Sequence, residues 1–120
     1  VDGEIKLLDD GRAVKTFGYV ADAVKMILHV ALYGKELIYN VGGVDSVSIR
    51  QLAEIVGRQC GVPVKLPTRK SKLKHIGADP AIDRLDLNKI LKEMPKFSFV
   101  HLENGLARTV AWNRQEFNLN

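Results

Sequence analysis

One stretch, residues 11–24, restricts the architecture more than any other part of the 120-residue chain. It opens with an extended run over residues 13–20. That run passes without a break into a helical pattern in which Val24, Ile27, Leu28 and Ala31 share one face. A strand that feeds a helix brings its last residues to the mouth of an α/β layer, where open α/β folds keep their ligand crevice. Lys15 and Tyr19 both fall in the run, two pleats apart and therefore on one strand face. Taken alone, this pattern belongs more often to an ordinary buried strand with a solvated lysine at one end.

The rest of the chain continues the alternation of strand and helix. Residues 4–8 read as a short strand, and Asp9-Asp10-Gly11 as the turn that pairs it with the 13–20 run in a hairpin. The helix that follows spans about residues 21–33, is stopped by Gly34, and carries Asp22 in its first turn, where a carboxylate complements the helix dipole. Residues 36–41 form an apolar run expected to be a buried strand, and Gly42-Gly43 allow a sharp turn after it. Ser48 and Gln51 make a capping box for a helix that buries Ile49, Leu52, Ala53, Val56 and Cys60 and ends at Gly61 and Pro63. A brief edge strand at residues 64–67 precedes an irregular basic loop that runs to Ala78. Asp86 caps a short helix over residues 87–93. A last helix spans about residues 102–117 with Leu102, Leu106 and Val110 as its stripe. Gly105 inside it weakens the helix unless a neighbour packs tightly there. The fold class is α/β: a small mixed sheet with several packed helices, in a single domain over residues 1–120.

Charge and cysteine content narrow the function classes. The formal net charge of +4 concentrates where Lys65, Arg69, Lys70, Lys72 and Lys74 gather with His75. Such a patch suits phosphate-bearing ligands, but no aromatic side chains interleave with these lysines as stacking platforms, so a nucleic-acid role is the weakest reading. No apolar stretch approaches the ~20 residues that span a bilayer, and residues 1–4 lack the basic-then-apolar layout of a signal peptide. With Cys60 alone there is no internal disulfide, which agrees with a cytoplasmic setting. His29, His75 and His101 show no metal spacing, and His29, in an apolar helix, reads as a satisfied boundary histidine. Cys60 lies on an apolar face and reads as packing, not as a nucleophile.

Several segments together, in order and spacing, resemble the C-terminal part of the extended short-chain dehydrogenase/reductases that act on nucleotide-sugars. These enzymes are epimerases, 4,6-dehydratases and UDP-glucuronate decarboxylases. The segments are Gly11 through Lys15-Thr16-Phe17-Gly18-Tyr19-Val20-Ala21-Asp22, Ile38-Tyr39-Asn40-Val41-Gly42-Gly43, Ser48-Ile49-Arg50-Gln51-Leu52-Ala53, Asp79-Pro80 to Asp86, and Glu103-Asn104-Gly105-Leu106 with Trp112. The resemblance implies the C-terminal, substrate-binding portion of a Rossmann-type enzyme without its nucleotide-binding core. It also implies three contacts to the substrate's diphosphate or nucleotide. Lys15 stands where the family carries a diphosphate-binding Arg, keeping the charge but not the planar fork. Arg69 lies in a Pro67-Thr68-Arg69 segment that resembles the family's "P-x-R", and Arg84 falls near its basic run.

The same resemblance places NAD in the parent enzyme and no cofactor in this chain. The glycine turn G-x-x-G-x-x-G is absent, and no tyrosine is followed four residues later by lysine: Tyr19 meets Ala23, Tyr33 meets Leu37 and Tyr39 meets Gly43. The chain by itself is therefore expected to be inactive. Its expected partners are a nucleotide-sugar, a separate Rossmann half, and further copies of itself held through exposed apolar surface. The alternative is a stand-alone binding or assembly module for an anionic ligand or a protein partner.

Overall fold

A computed structural model describes residues 3–67 and 84–117. The element order is β1 (Ile5–Lys6), β2 (Val14–Phe17), α1 (Val20–Tyr33), β3 (Asp45–Ser48), α2 (Ile49–Cys60), β4 (Val64–Lys65), α3 (Asn88–Glu93) and α4 (Leu102–Glu116). Parallel and antiparallel pairing both occur, as a mixed α/β fold requires, but in two short ladders. β1 lies parallel to β4 with Ile5 opposite Val64, and β2 lies antiparallel to β3 with Val14 opposite Ser48 and Phe17 opposite Asp45.

The hairpin expected between β1 and β2 does not form. Asp9 and Asp10 do turn the chain, their carboxylates accepting from the Gly11 and Arg12 amides, and Gly11 takes φ 65°. The turn redirects β2 onto β3 instead. The Ile49 amide donates to the Ala13 carbonyl and the Arg50 amide to the Gly11 carbonyl, which extends the β2–β3 contact into α2. A Cβ on Gly11 would stand 2.8 Å from the Arg50 nitrogen, so position 11 is confined to glycine by both conformation and space.

Local signals set the helix ends. At α2 the Ser48 hydroxyl accepts from the Gln51 amide while the Gln51 side chain accepts from the Ser48 amide, and Gly61 closes the helix at φ 71°. The Asp86 carboxylate accepts from the Asn88 amide at the start of α3. Asp45, at the first residue of β3, accepts from the Leu102 amide at 2.6 Å and caps α4 across 57 residues of sequence. Gly34 ends α1 with φ −58°, not in a left-handed turn; a Cβ there would lie 2.6 Å from the Val30 carbonyl oxygen.

The core is small. Met26 from α1 and Leu87 and Ile90 around α3 are buried, flanked by half-buried Val30, Tyr39, Phe97 and Phe99. Burial of side chains of this size contributes about 1.5–3 kcal/mol each. Asp22 is buried beside them at 2% exposure; one carboxylate oxygen accepts from the Val100 amide at 2.7 Å and the other faces Lys25. Its role is thus to tie α1 to the segment before α4, beyond any effect on the helix dipole.

The structure locates one apolar face and corrects the strand expected after it. Val24, Ile27, Leu28 and Ala31 do share a face of α1, but it is exposed; the inward face carries Asp22, Met26 and half-buried His29 and Val30. Residues 36–41 form no strand and pair with no strand among the described residues, and Leu37 and Ile38 are exposed. Residues 3–67 and 84–117 include no helix long and apolar enough to cross a membrane.

Candidate functional site

The β2–β3 ribbon and the segment leading into α3 enclose an open cleft of about 330 Å³, lined in part by Thr16, Gly43, Arg84, Asp86, Asn88 and Leu91. Its floor exists because two backbones touch. A Cβ on Gly43 would fall 1.8 Å from the Phe17 carbonyl oxygen and 2.4 Å from the Gly18 Cα. Neither Gly42 nor Gly43 has positive φ, so Gly43 serves close approach and not the sharp turn expected from its sequence. Thr16, which lines the cleft, joins hydroxyls at 2.9 Å with its cross-strand partner Ser46. Arg84 donates from Nε to the Ser46 hydroxyl at 3.3 Å, which anchors the guanidinium at the cleft wall.

Of the three cations singled out in the sequence, the structure places Arg84 in the cleft. Lys15 is half-buried on β2 opposite Val47, and strand alternation turns it to the ribbon face away from Thr16, Ser46 and Arg84. Lys15 and Arg84 are therefore not brought together. Arg69, with the rest of the 69–75 basic cluster, lies outside the described residues. Tyr19 does not share a strand face with Lys15, because β2 ends at Phe17 and Tyr19 is the N-cap of α1. Its ring packs on α4, where a Cβ on Gly105 would meet it at 3.1 Å and the Arg108 guanidinium lies 5.7 Å from the ring centroid. The tight neighbour that Gly105 calls for is Tyr19.

The hydroxyls of Thr16 and Ser46 were not singled out from the sequence. Their signal is a polar residue at matching positions of two paired strands, visible only once the register is known. The cleft is mixed in charge. Asp86 shares it with Arg84, but its carboxylate already accepts from the Asn88 amide and its carbonyl from the Asn40 side chain. Arg84 is thus the group suited to an anion, with Thr16 and Asn88 beside it in the lining.

A second polar cluster ties residues 34–39 to α3. The Tyr39 hydroxyl accepts from the Lys35 and Glu36 amides at 2.7 and 2.8 Å and donates to Glu93 at 2.6 Å. The other Glu93 oxygen lies 3.2 Å from His29 Nε2, so His29 is a satisfied boundary histidine, as its apolar helix implies. The Tyr39 hydrogen bond, followed by His29, holds the Glu93 carboxyl below its ordinary value against the opposing effect of burial. Burial, then the same bond to Glu93, pushes the Tyr39 hydroxyl up. The cluster's hydrogen bonds join α1, residues 35–39 and α3.

Among the described residues, the β2-to-α1 junction lacks the form of a dinucleotide turn. It offers the single glycine Gly18, the Tyr19 carbonyl takes the Asp22 and Ala23 amides, and the buried Asp22 carboxylate sits in the first helical turn where a pyrophosphate would lie. No group of three or more His, Cys, Asp or Glu among the described residues can hold a metal ion.

The chain is 30% identical over 116 residues to a UDP-glucuronate 4-epimerase of Thermodesulfobacterium geofontis, covering 96% of this chain and 35% of that protein. It is 33% identical over 111 residues to a dTDP-4-dehydro-6-deoxy-D-allose reductase of a Streptomyces species, covering 92% of this chain and 32% of that protein. Its fold superposes on a dTDP-glucose 4,6-dehydratase from Bacillus anthracis, solved with NAD, with a TM-score of 0.77 and 22% identity over 97% of this chain and 36% of that one. A UDP-glucuronic acid 4-epimerase from Bacillus cereus, solved with UDP-glucuronic acid and NAD, gives 0.71 and 20% over 92% and 35%. No family model matches the chain. The chain spans about a third of the length of the curated relatives it matches. Its relatives and structural neighbours are NAD-dependent nucleotide-sugar epimerases, dehydratases and reductases, and the part matched is the C-terminal part of a Rossmann-type enzyme.

Proposed function

We propose that this chain is the substrate-binding portion of an NAD-dependent nucleotide-sugar epimerase, dehydratase or decarboxylase, a single domain that holds the substrate while residues outside it carry the hydride chemistry. The observation that carries this reading is Arg84, fixed through Nε on the Ser46–Thr16 hydroxyl pair at a 330 Å³ cleft. Anchored this way, its two terminal nitrogens form the fork to which paired phosphate oxygens are complementary. Lys15 and Arg69 are diphosphate contacts only as the resemblance implies, and Lys15, on the other ribbon face, does not meet the group that Arg84 would hold. A cytoplasmic setting goes with this reading, since one cysteine leaves nothing to cross-link.

Titration of the chain with UDP-glucuronic acid, by calorimetry at low salt, tests the reading. A charge-assisted contact is worth about 1.5–3 kcal/mol, so Arg84→Ala should weaken binding by at least ~10-fold. Equal heats from wild type and Arg84→Ala, or none from either at millimolar ligand, would remove the reading. An assembly role is also favoured, by the exposed face of α1, and concerns a different surface.

A further inference from the structure

The first turn of α4 contains the chain's one Asn-Gly pair, Asn104-Gly105; bulkier residues follow Asn40, Asn88, Asn113 and Asn118. An asparagine before glycine is chemically labile. With no Cβ on the next residue, that residue's backbone nitrogen can reach the asparagine side-chain carbon. Asn104 is exposed to water, whereas Gly105 is buried. We infer that Asn104-Gly105 is a deamidation site that the cap of α4 keeps closed. It reacts only when the first turn of that helix opens. The reaction needs water alone and is independent of the substrate-portion reading above.

Three observations place the control at this turn. First, the nucleophile is the Gly105 amide nitrogen, and its N–H donates to the His101 carbonyl at 2.9 Å. The proton that must leave is therefore the one that closes the helical turn. Ring closure also needs a ψ at Asn104 far from the helical value of about −42°. Second, groups from other elements pin the turn. The Asp45 carboxylate accepts from the Leu102 amide at 2.6 Å, and the Gln59 side chain donates to the Glu103 carbonyl at 2.9 Å. The Gln59 contact holds the peptide group that leads into Asn104. Third, a Cβ on Gly105 would meet the Tyr19 ring at 3.1 Å. The bare backbone that makes the pair labile is thus the same one that lets the ring pack over it.

Once the turn opens, the Gly105 nitrogen gives up its proton and bonds to the Asn104 side-chain carbon. The side-chain carbon–nitrogen bond breaks, ammonia leaves, and a cyclic succinimide remains. Water then cleaves one of the two ring carbon–nitrogen bonds. The balance is one water consumed and one ammonia released, with no oxidant or cofactor. Cleavage at the side-chain carbon gives aspartate in the first turn of α4, where the helix dipole favours a carboxylate and the helix can close again. Cleavage at the backbone carbonyl gives isoaspartate, which adds a carbon to the main chain and breaks the i to i−4 register of the turn. The isoaspartate form loses the Asp45 cap and the Tyr19 contact together.

The test incubates the whole chain in mildly alkaline buffer, folded and in concentrated guanidinium chloride. Peptide mapping that separates aspartate from isoaspartate follows acid formation at position 104. Asn104 should react at least ~10-fold more slowly in the folded chain. That protection should equal or exceed the protection of the Gly105 amide against hydrogen exchange, since both need the same hydrogen bond to open. Asp45→Ala should speed the reaction of the folded chain by roughly 5-fold, whereas Asp45→Asn, which keeps an acceptor for the Leu102 amide, should stay near wild type. Equal rates in buffer and in denaturant overturn the inference, as does deamidation less protected than exchange at Gly105. So does an unchanged rate in an Asp45→Ala chain whose circular dichroism is native. No acid at position 104 in denaturant removes the site altogether. If Asp45→Ala does not fold, the two protections measured in wild type decide the matter alone.

Discussion

The neighbouring glycines at the cleft floor should respond oppositely to the same substitution. A Cβ at Gly43 would lie 1.8 Å from the Phe17 carbonyl oxygen and 2.4 Å from both the Phe17 carbonyl carbon and the Gly18 Cα. All are backbone atoms, so Gly43→Ala must push β2 and the 42–43 segment more than an ångström apart. Overpacking that side chains can absorb costs about 1–3 kcal/mol, and no side chain is available to yield here, so about 3 kcal/mol or more is expected. At Gly42 the nearest atom to a Cβ is Leu85 Cδ1 at 3.2 Å, the end of an exposed and movable side chain. Neither residue has positive φ, so Gly42→Ala also restricts the unfolded chain, a gain of about 0.4–1 kcal/mol that offsets the contact. Urea unfolding followed by far-UV circular dichroism reads the difference. With a slope of about 1–3 kcal/mol/M, the midpoint of Gly43→Ala should fall by roughly 1–3 M, or the variant should not fold, while Gly42→Ala stays near wild type. Midpoints for the two variants within about 0.3 M of each other would show that the backbone contact beneath the cleft is not as described.

Glu93 gives a pH dependence of defined sign. Its carboxyl titrates below the ordinary value near 4.5 in the fold, so its stabilisation is complete above that value and is lost as pH falls through the folded pKa. Melting temperatures between pH 2.5 and 7 should therefore fall less steeply on the acid side for Glu93→Gln than for wild type, the remaining slope including Glu4, which Lys6 and Lys65 likewise hold down. Identical acid limbs for the two proteins would count against the Tyr39–Glu93–His29 cluster. Gly105→Ala removes a helix penalty of about 1 kcal/mol but sets a Cβ 3.1 Å from the Tyr19 ring. It should be nearly neutral in wild type and stabilising by about 1 kcal/mol in a Tyr19→Ala background, as chemical denaturation of the double-mutant cycle will show.

What could be read in the sequence is what depends on neighbours in sequence. Ser48, Gln51 and Gly61 act within four residues of their partners, and the ends of α2 that they mark are where the structure has them, whereas α3 starts one residue later than Asp86 implied, with Leu87 as its N-cap. β1 was assigned the wrong partner because its true one, Val64 opposite Ile5, lies far along the chain, while a nearby Asp-Gly turn offered a hairpin. Periodicity showed that α1 has an apolar stripe but not which side meets this core, and Met26 with the carboxylate of Asp22 took the inward side. Residues 36–41 have the composition of a strand, yet a strand needs a partner, and the described residues supply none. At the cleft, Arg84 was named from the resemblance, and its role as a ligand contact is a proposal. Its anchor on Ser46 was not legible, because that contact spans 38 residues and depends on the register that puts Ser46 beside Thr16.

Binding of a nucleotide-sugar in the cleft beneath Arg84, as proposed, is open to direct measurement. Amide and guanidinium NMR shifts of the chain, followed as UDP-glucuronic acid is added, locate the ligand directly. The account predicts changes centred on Thr16, Gly43, Ser46 and residues 84–88, saturating with ligand and reduced in Arg84→Ala. Shifts confined to other surfaces, or none at saturating ligand, would contradict it.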